Sequence, residues 1–131
     1  FYSGRSVSRP SEKRVAARHQ RWETISRESL KQCRRSRLVD IAMPVSFETL
    51  IQQSSSYDVR IAFWENEARL LKQLSPPTGV SNVIILIGPE GGFIDLEVQT
   101  LMDKGFEPMT MGARILRVET AVTALVSRLF T

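Results

Sequence analysis

The chain has one cysteine, Cys33, and one histidine, His19, among 131 residues. A single cysteine excludes an intrachain disulfide framework and fits a reducing compartment. One histidine beside it leaves no Cys/His set of the kind that holds zinc, so no metal is expected. Neither residue has a catalytic partner at a recognisable spacing, and each reads as structural. Long apolar runs are also missing. The longest, Val83 to Ile87, is five residues, against the ~20 that a membrane helix needs. No secretory or transit peptide is visible. These absences predict a cytoplasmic protein with no membrane part. The chain opens on Phe1 rather than Met, as a fragment or a processed product would.

What is present is ordinary globular material, 42% hydrophobic and 24% charged. That is too apolar for a wholly disordered chain, and the length suits one domain. The charge is uneven. Residues 1–44 carry eleven bases and four acids, a net +7, whereas residues 45–131 carry seven bases and ten acids, a net −3. Nine of the eleven N-terminal bases are arginine. The guanidinium is a planar fork of donors that matches phosphate oxygens. A basic first third on a near-neutral body fits a nucleic-acid-facing surface, and it fits a solvated helix face equally well.

Helix signals run from a Ser11 cap to about Cys33, with Val15, Trp22, Ile25 and Ser29 near one face. Leu38 to Met43 is predicted as a short strand closed by Pro44. Ser46 caps a short helix through Gln52, and Ser54 to Ser56 is a loop. Tyr57 to Phe63 alternates, with Val59, Ile61 and Phe63 on one face, as in a strand exposed on one side. Glu67 to Leu74 is a weaker helix, and Ser75 to Gly79 a turn. Val83 to Ile87 has the look of a buried parallel strand. Asp95 caps a helix in which Val98, Leu101, Met102 and Gly105 share a face, and Gly105 ends it. Glu107 to Met111 is a short strand, and Gly112 turns the chain. Val118 to Phe130 is helical, with Val118, Ala121, Val122, Leu125 and Leu129 on one face. Strand–loop–helix, twice over, predicts an α/β fold with a parallel sheet flanked by helices.

Two segments at strand ends carry candidate chemistry. The first is Ile87-Gly88-Pro89-Glu90-Gly91-Gly92-Phe93. Glycines let a backbone come close to a ligand, so a bulky residue at Gly91 is expected to block that approach. In open α/β sheets, ligands lie outside the carboxyl ends of strands. The stretch is neither a P-loop nor a dinucleotide fingerprint, and taken alone it is more often a plain turn. The second is Met111-Gly112-Ala113-Arg114-Ile115-Leu116-Arg117-Val118-Glu119-Thr120-Ala121. It reads either as a second ligand loop abutting the first or as a cap with a surface salt bridge. A third cluster, Gln32-Cys33-Arg34-Arg35-Ser36-Arg37, holds more cations than capping a helix C-terminus requires.

The first two motifs, in this order and about twenty residues apart, resemble the closing half of the bacterial small-subunit ribosomal RNA (uracil-N3) methyltransferase family, within the SPOUT superfamily. Arg5-Ser6-Val7 and the Gln32-Cys33-x-Arg35-x-Arg37 pattern fit the same family upstream, so the likeness covers almost the whole chain. The chain departs from the family at Arg34, Val39 and Val118, where glycine, proline and threonine are usual. The resemblance implies a C-terminal trefoil knot and a homodimer. The family usually carries an N-terminal RNA-binding barrel and a first strand–helix unit that residues 1–131 do not include, so the chain reads as a partial methyltransferase domain, either an excerpt or a protein without those parts. The resemblance also implies S-adenosylmethionine held by Leu86, Ile87, Gly88, Glu90, Gly91 and Gly92 on one side. Met111, Gly112, Ile115, Leu116 and Arg117 form the other. The implied substrate is ribosomal RNA or the small ribosomal subunit. Arg117 is the candidate to stabilise charge on uracil, and Glu119 to orient it or act as base. Arg5, Arg14, Arg18, Arg21, Arg34, Arg35 and Arg37 are the candidate RNA contacts. Two alternatives stand beside this: ribose 2′-O methylation, whose enzymes usually show Gly-Asn-Glu and Ser-Leu-Asn at these places, and a non-catalytic RNA-binding module.

Overall fold

The computed structural model describes residues 1–4, 11–33, 36–64 and 79–130, the side chains of 128–130 excepted. It divides into two compact units, residues 8–45 and residues 1–7 with 46–131.

The smaller unit is built on helix α1, Glu12–Cys33, none of whose residues is buried. Its half-buried positions are Val15, His19, Glu23, Ser26 and Leu30, three or four residues apart and so on one stripe. Trp22 and Ile25, expected on the inner face, are 40% and 52% exposed. The predicted strand over Leu38 to Met43 does not form; those residues are irregular. The reason lies in its carbonyls. His19 Nε2 hydrogen-bonds Ile41 O, and Ser26 Oγ donates to Val39 O at 3.4 Å. Side chains of α1 therefore hold the segment back along the helix, in place of a strand ladder.

In the larger unit, Ser46 caps α2, Phe47–Gln53, by accepting the Thr49 N–H at 3.1 Å. Ser54 to Ser56 form a 3₁₀ turn rather than an open loop, each hydroxyl bonded three residues back. Among the described residues three strands follow: β1 (Val59–Phe63), β2 (Val83–Ile87) and β3 (Glu107–Met109). The sheet order is β2-β1-β3, and both pairings are parallel. Helix α3, Asp95–Asp103, connects β2 to β3, and α4, Val118–Phe130, follows β3. The expected α/β architecture with a parallel sheet is thus what the chain forms. The weaker helix at Glu67 to Leu74 and most of the turn after it lie outside the described residues.

The period of two along the strands feeds two cores. Ala62 and Leu86 pack with Phe47, Ile51, Phe93, Val98, Leu101 and Phe106 on the side of α2 and α3. Ile61 and Phe63 pack with Met109 and Leu125 on the side of α4. β1 is therefore covered on both faces over Ile61 to Phe63, not exposed on one. β2 is parallel as expected but mostly half-buried, because it is an outer strand among those described and only Leu86 is fully covered.

Three finer expectations change. Helix α3 is capped at Ile94, and Asp95 is its first residue. The cap comes from inside the helix, where Glu97 Oε2 accepts the Ile94 N–H at 3.0 Å. Met102 is 48% exposed, since the buried stripe of α3 runs through Glu97, Val98 and Leu101. β3 ends at Met109, Thr110 keeps a single bridge, and the chain then turns, with Thr110 Oγ1 accepting the Gly112 N–H at 3.3 Å. Gly105 ends α3 as expected, in the left-handed region at φ 77°, with Phe106 N–H bonded to Leu101 O at 2.9 Å.

Candidate active site

All three strands are parallel, so their carboxyl ends emerge at one edge of the sheet. β1 delivers Phe63 and Trp64 there, β2 delivers the loop 88–94, and β3 delivers 110–117. Trp64 N–H donates to Met109 O at 2.9 Å, which ties the end of β1 to the end of β3. The two glycine-containing loops come from the outer strands and flank the central one. Between them lies a cavity of about 320 Å³. That is within the range of small-molecule pockets, and its position is where open α/β sheets take ligands.

The loop after β2 folds on a tight turn, with Gly92 N–H donating to Pro89 O at 2.8 Å. Gly92 has φ 69° and is buried. An L side chain would be strained there. Gly88 is set close against Phe93, whose ring carbons would sit 3.3 Å from an added Cβ. On the opposite loop, Gly112 has φ 120°. It turns the chain so that 113–117 return along the cavity before α4 begins.

The structure brings most of the expected cofactor residues together. Ile87, Gly88, Glu90, Gly92, Met111, Gly112, Ile115, Leu116 and Arg117 all line the cavity. Leu86 and Gly91 do not. Leu86 points into the α2/α3 core, one residue out of phase with Ile87, and Gly91 is exposed on the outside of the turn. Glu119 is also absent from the lining, and its residue is exposed. Among the described residues Arg117 and Glu119 form no ion pair; the single pair is Lys31–Glu28. Sequence reasoning missed Phe63, Trp64 and Thr110, which also line the cavity, and gave no role to Arg114 of the second motif, which lines it too. The signal for the first two was available, since Tyr57 to Phe63 was read as a strand and a strand's carboxyl end belongs to the site in a parallel sheet.

The candidate RNA-binding arginines lie elsewhere in the chain. Arg14, Arg18 and Arg21 are exposed on one stripe of α1, at spacings of four and three. Arg37 is exposed in the bend after it. Arg5, Arg34 and Arg35 lie outside the described residues. Among the described residues no group of three or more His, Cys, Asp or Glu side chains is placed to hold a metal, and no helix is long and apolar enough to cross a membrane.

An α/β domain with two glycine-containing loops around one cavity at the carboxyl edge of a parallel sheet is a nucleotide- or cofactor-binding arrangement in class. Residues 1–130 match the family model described as RNA methyltransferase domain, and the chain belongs to that family. It is 35% identical over 128 residues to the ribosomal RNA small subunit methyltransferase E of Mesomycoplasma hyopneumoniae, covering 98% of this chain and 55% of that protein. The protein of the same name from Bacillus subtilis is 29% identical over 130 residues, covering 92% of this chain and 50% of that one. Among solved structures, the ribosomal RNA small subunit methyltransferase E of Neisseria gonorrhoeae bound to S-adenosyl methionine superposes with a TM-score of 0.78. It is 28% identical and covers 95% of this chain and 54% of that one. The chain spans about half the length of the relatives it matches. The likeness read from the two motifs is thus borne out at the level of the family.

Proposed function

We propose that the chain is the catalytic part of an S-adenosylmethionine-dependent enzyme that methylates N3 of a uridine in small-subunit ribosomal RNA. The observation that carries this reading is the cavity between the 88–92 and 111–117 loops, in a chain whose relative was solved with S-adenosyl methionine bound. The cavity's chemistry fits such a group. Gly88, Gly92 and Gly112 present backbone to the cavity without side chains over it, Ile87, Met111 and Leu116 offer apolar walls, and Glu90 and Thr110 add polar edges. These residues would hold the cofactor, which supplies a methyl group made electrophilic by a sulfonium.

Uracil N3 carries a proton and is a poor nucleophile until that proton is lost to solvent. The resulting negative charge spreads onto the two neighbouring carbonyl oxygens. N3 would then take the methyl group as the methyl–sulfonium bond breaks, leaving S-adenosylhomocysteine. Arg117 lines the cavity with no acidic partner among the described residues, so its guanidinium is free to donate to those oxygens as charge develops. The two loops would orient a bound base against the methyl donor, the proximity effect that makes such transfers fast. Glu119, in the first turn of α4, is exposed and not ion-paired with Arg117, so it would orient Arg117 only in the complex with RNA. The exposed arginines of α1, with Arg5, Arg34, Arg35 and Arg37, would bind RNA phosphates and set position without reading sequence.

The chain is a partial SPOUT domain with a trefoil knot near its C-terminus, preceded in the whole protein by a first strand–helix unit and an RNA-binding barrel. Two copies pair through α4, and the enzyme works in the cytoplasm on ribosomal RNA or the small subunit. Calorimetric titration with S-adenosylhomocysteine tests the site, and transfer of a labelled methyl group to unmodified small-subunit RNA, with digestion to locate it on uracil N3, tests the reaction. Saturable binding and N3 label are expected; label on a ribose would turn the assignment to 2′-O methylation.

A further inference from the structure

Arg114 lines the same cavity as Arg117, on the segment that returns from Gly112 towards α4. It is exposed, and it makes no hydrogen bond or ion pair among the described residues. The ionisable groups of the lining are Glu90, Arg114 and Arg117, so the wall carries one more positive than negative charge. Beside Arg114, Ile115 is 82% exposed. A planar fork of donors next to an open aliphatic surface is suited to a nucleotide: the fork takes two oxygens of an anion, and the aliphatic surface takes a sugar or base face.

N3 of uracil lies on the edge used for base pairing. A uridine that presents it to a methyl donor must be unpaired and turned out of its stack. Displacing one nucleotide also displaces the phosphates that flank it, and these need a partner at the mouth of the cavity. We infer that Arg114 is that partner, an anion anchor which grips a phosphodiester of the RNA strand that delivers the target nucleotide. The inference rests on the methyltransferase reading above. The same fork could grip the carboxylate of the cofactor, and the experiment separates the two sources.

The test uses the whole chain with Arg114→Ala and Arg114→Lys. Affinity is measured for S-adenosylhomocysteine, for 5′-methylthioadenosine, which lacks the amino-acid carboxylate, and for unmodified small-subunit RNA over a range of salt. For Arg114→Ala the RNA dissociation constant is expected to rise about tenfold. The slope of log affinity against log salt should fall by about one, the signature of one lost phosphate contact. Arg114→Lys should keep the salt slope and recover part of the affinity, since it keeps the charge and loses the fork. In turnover, KM for RNA should rise while kcat changes less than about threefold. RNA affinity and salt slope equal to wild type in both variants would overturn the proposal. So would a loss of affinity for S-adenosylhomocysteine that 5′-methylthioadenosine does not share, because it assigns the fork to the carboxylate. A wild-type chain that binds no S-adenosylhomocysteine removes the underlying reading and this inference with it, a result distinct from a silent Arg114.

Discussion

The backbone N–H of Gly4 donates to Glu97 Oε1 at 2.7 Å, across 93 positions of sequence. The other oxygen of the same carboxylate accepts the Ile94 N–H at 3.0 Å. Glu97 is only 6% exposed, so it ties the first residues to the start of α3 in a dry place. Around this tie Phe1 stacks on Phe93 with centroids 6.1 Å apart and planes 8° from parallel. Phe93 in turn walls Gly88 of the cavity. The N-terminal arm therefore buttresses the loop after β2. Replacing Glu97 by alanine leaves two backbone donors without their acceptor. Bonds to a charged group contribute ~1.5–3 kcal/mol each, so for the two bonds a loss of about 3–6 kcal/mol is expected in urea unfolding. Glu97→Gln, which keeps one carbonyl oxygen, should lose about half of that. A loss below ~0.5 kcal/mol for the alanine variant would show that the tie is not holding the arm.

The left-handed residue of the cavity loop is Gly92, at φ 69°, and not Gly91. Expectation for a blocking substitution therefore moves one residue along. Gly92→Val puts a β-branched side chain into a strained and buried position, at a cost of about 1–3 kcal/mol for the backbone alone. The turn that Gly92 closes onto Pro89 should open, and affinity for S-adenosylhomocysteine should fall at least about tenfold. Gly91→Val, on the exposed side of the turn, should weaken binding far less. Calorimetry on the two variants decides, and equal effects would put the close approach back at Gly91.

The strongest local patterns were readable without coordinates. Val83 to Ile87, Val118 to Phe130 and the Ser46 cap have their observed limits or nearly so, because a continuous run of β-branched residues and leucine, a 3.6-residue period and a hydroxyl before a helix are local physics. Leu38 to Met43 misled, since its apolar residues satisfy their carbonyls on His19 and Ser26 and find no strand to pair with. The outer faces of α1 and α3 misled for a similar reason: an apolar residue such as Ile25 or Met102 states a preference, and only packing decides which stripe is covered. Of the site, the two glycine loops were readable as motifs. Phe63 and Trp64 join them only through the sheet order β2-β1-β3, a non-local fact. Glu97 carries no motif signal for its reach to Gly4.

Helix α4 buries Ala121 and Leu125 but leaves Val122 and Val126 44% and 47% exposed. The apolar surface is wider than the sheet needs, which supports pairing of two copies through this helix. Val126→Glu places a charge in the uncovered stripe without entering the core. In the whole protein it is expected to shift a dimer to monomer at micromolar concentration by light scattering. Melting of the monomer should change little, as exposed substitutions usually stay within ~0.5 kcal/mol. A wild-type protein that is monomeric at that concentration would remove the pairing.

Arg117 carries the most specific prediction. If its guanidinium receives the charge that develops on the uracil oxygens, it acts in the transition state and contributes little to ground-state binding. Arg117→Lys keeps a positive charge and loses the planar fork. Removing one such donor typically lowers turnover by ~10²–10³. Affinity for S-adenosylhomocysteine should meanwhile stay within about twofold of wild type. The plainer role is a surface ion pair with Glu119, worth ~0.2–1 kcal/mol at most, and no such pair exists among the described residues. The two roles differ by more than an order of magnitude in rate, which single-turnover methylation of unmodified small-subunit RNA resolves easily. A rate within about threefold of wild type would exclude Arg117 from the chemistry. A large loss of cofactor affinity with an unaltered rate at saturation would instead assign it to holding the cofactor. Glu119→Gln serves as the companion variant: if Glu119 only orients Arg117, the double variant should be no slower than Arg117→Lys alone.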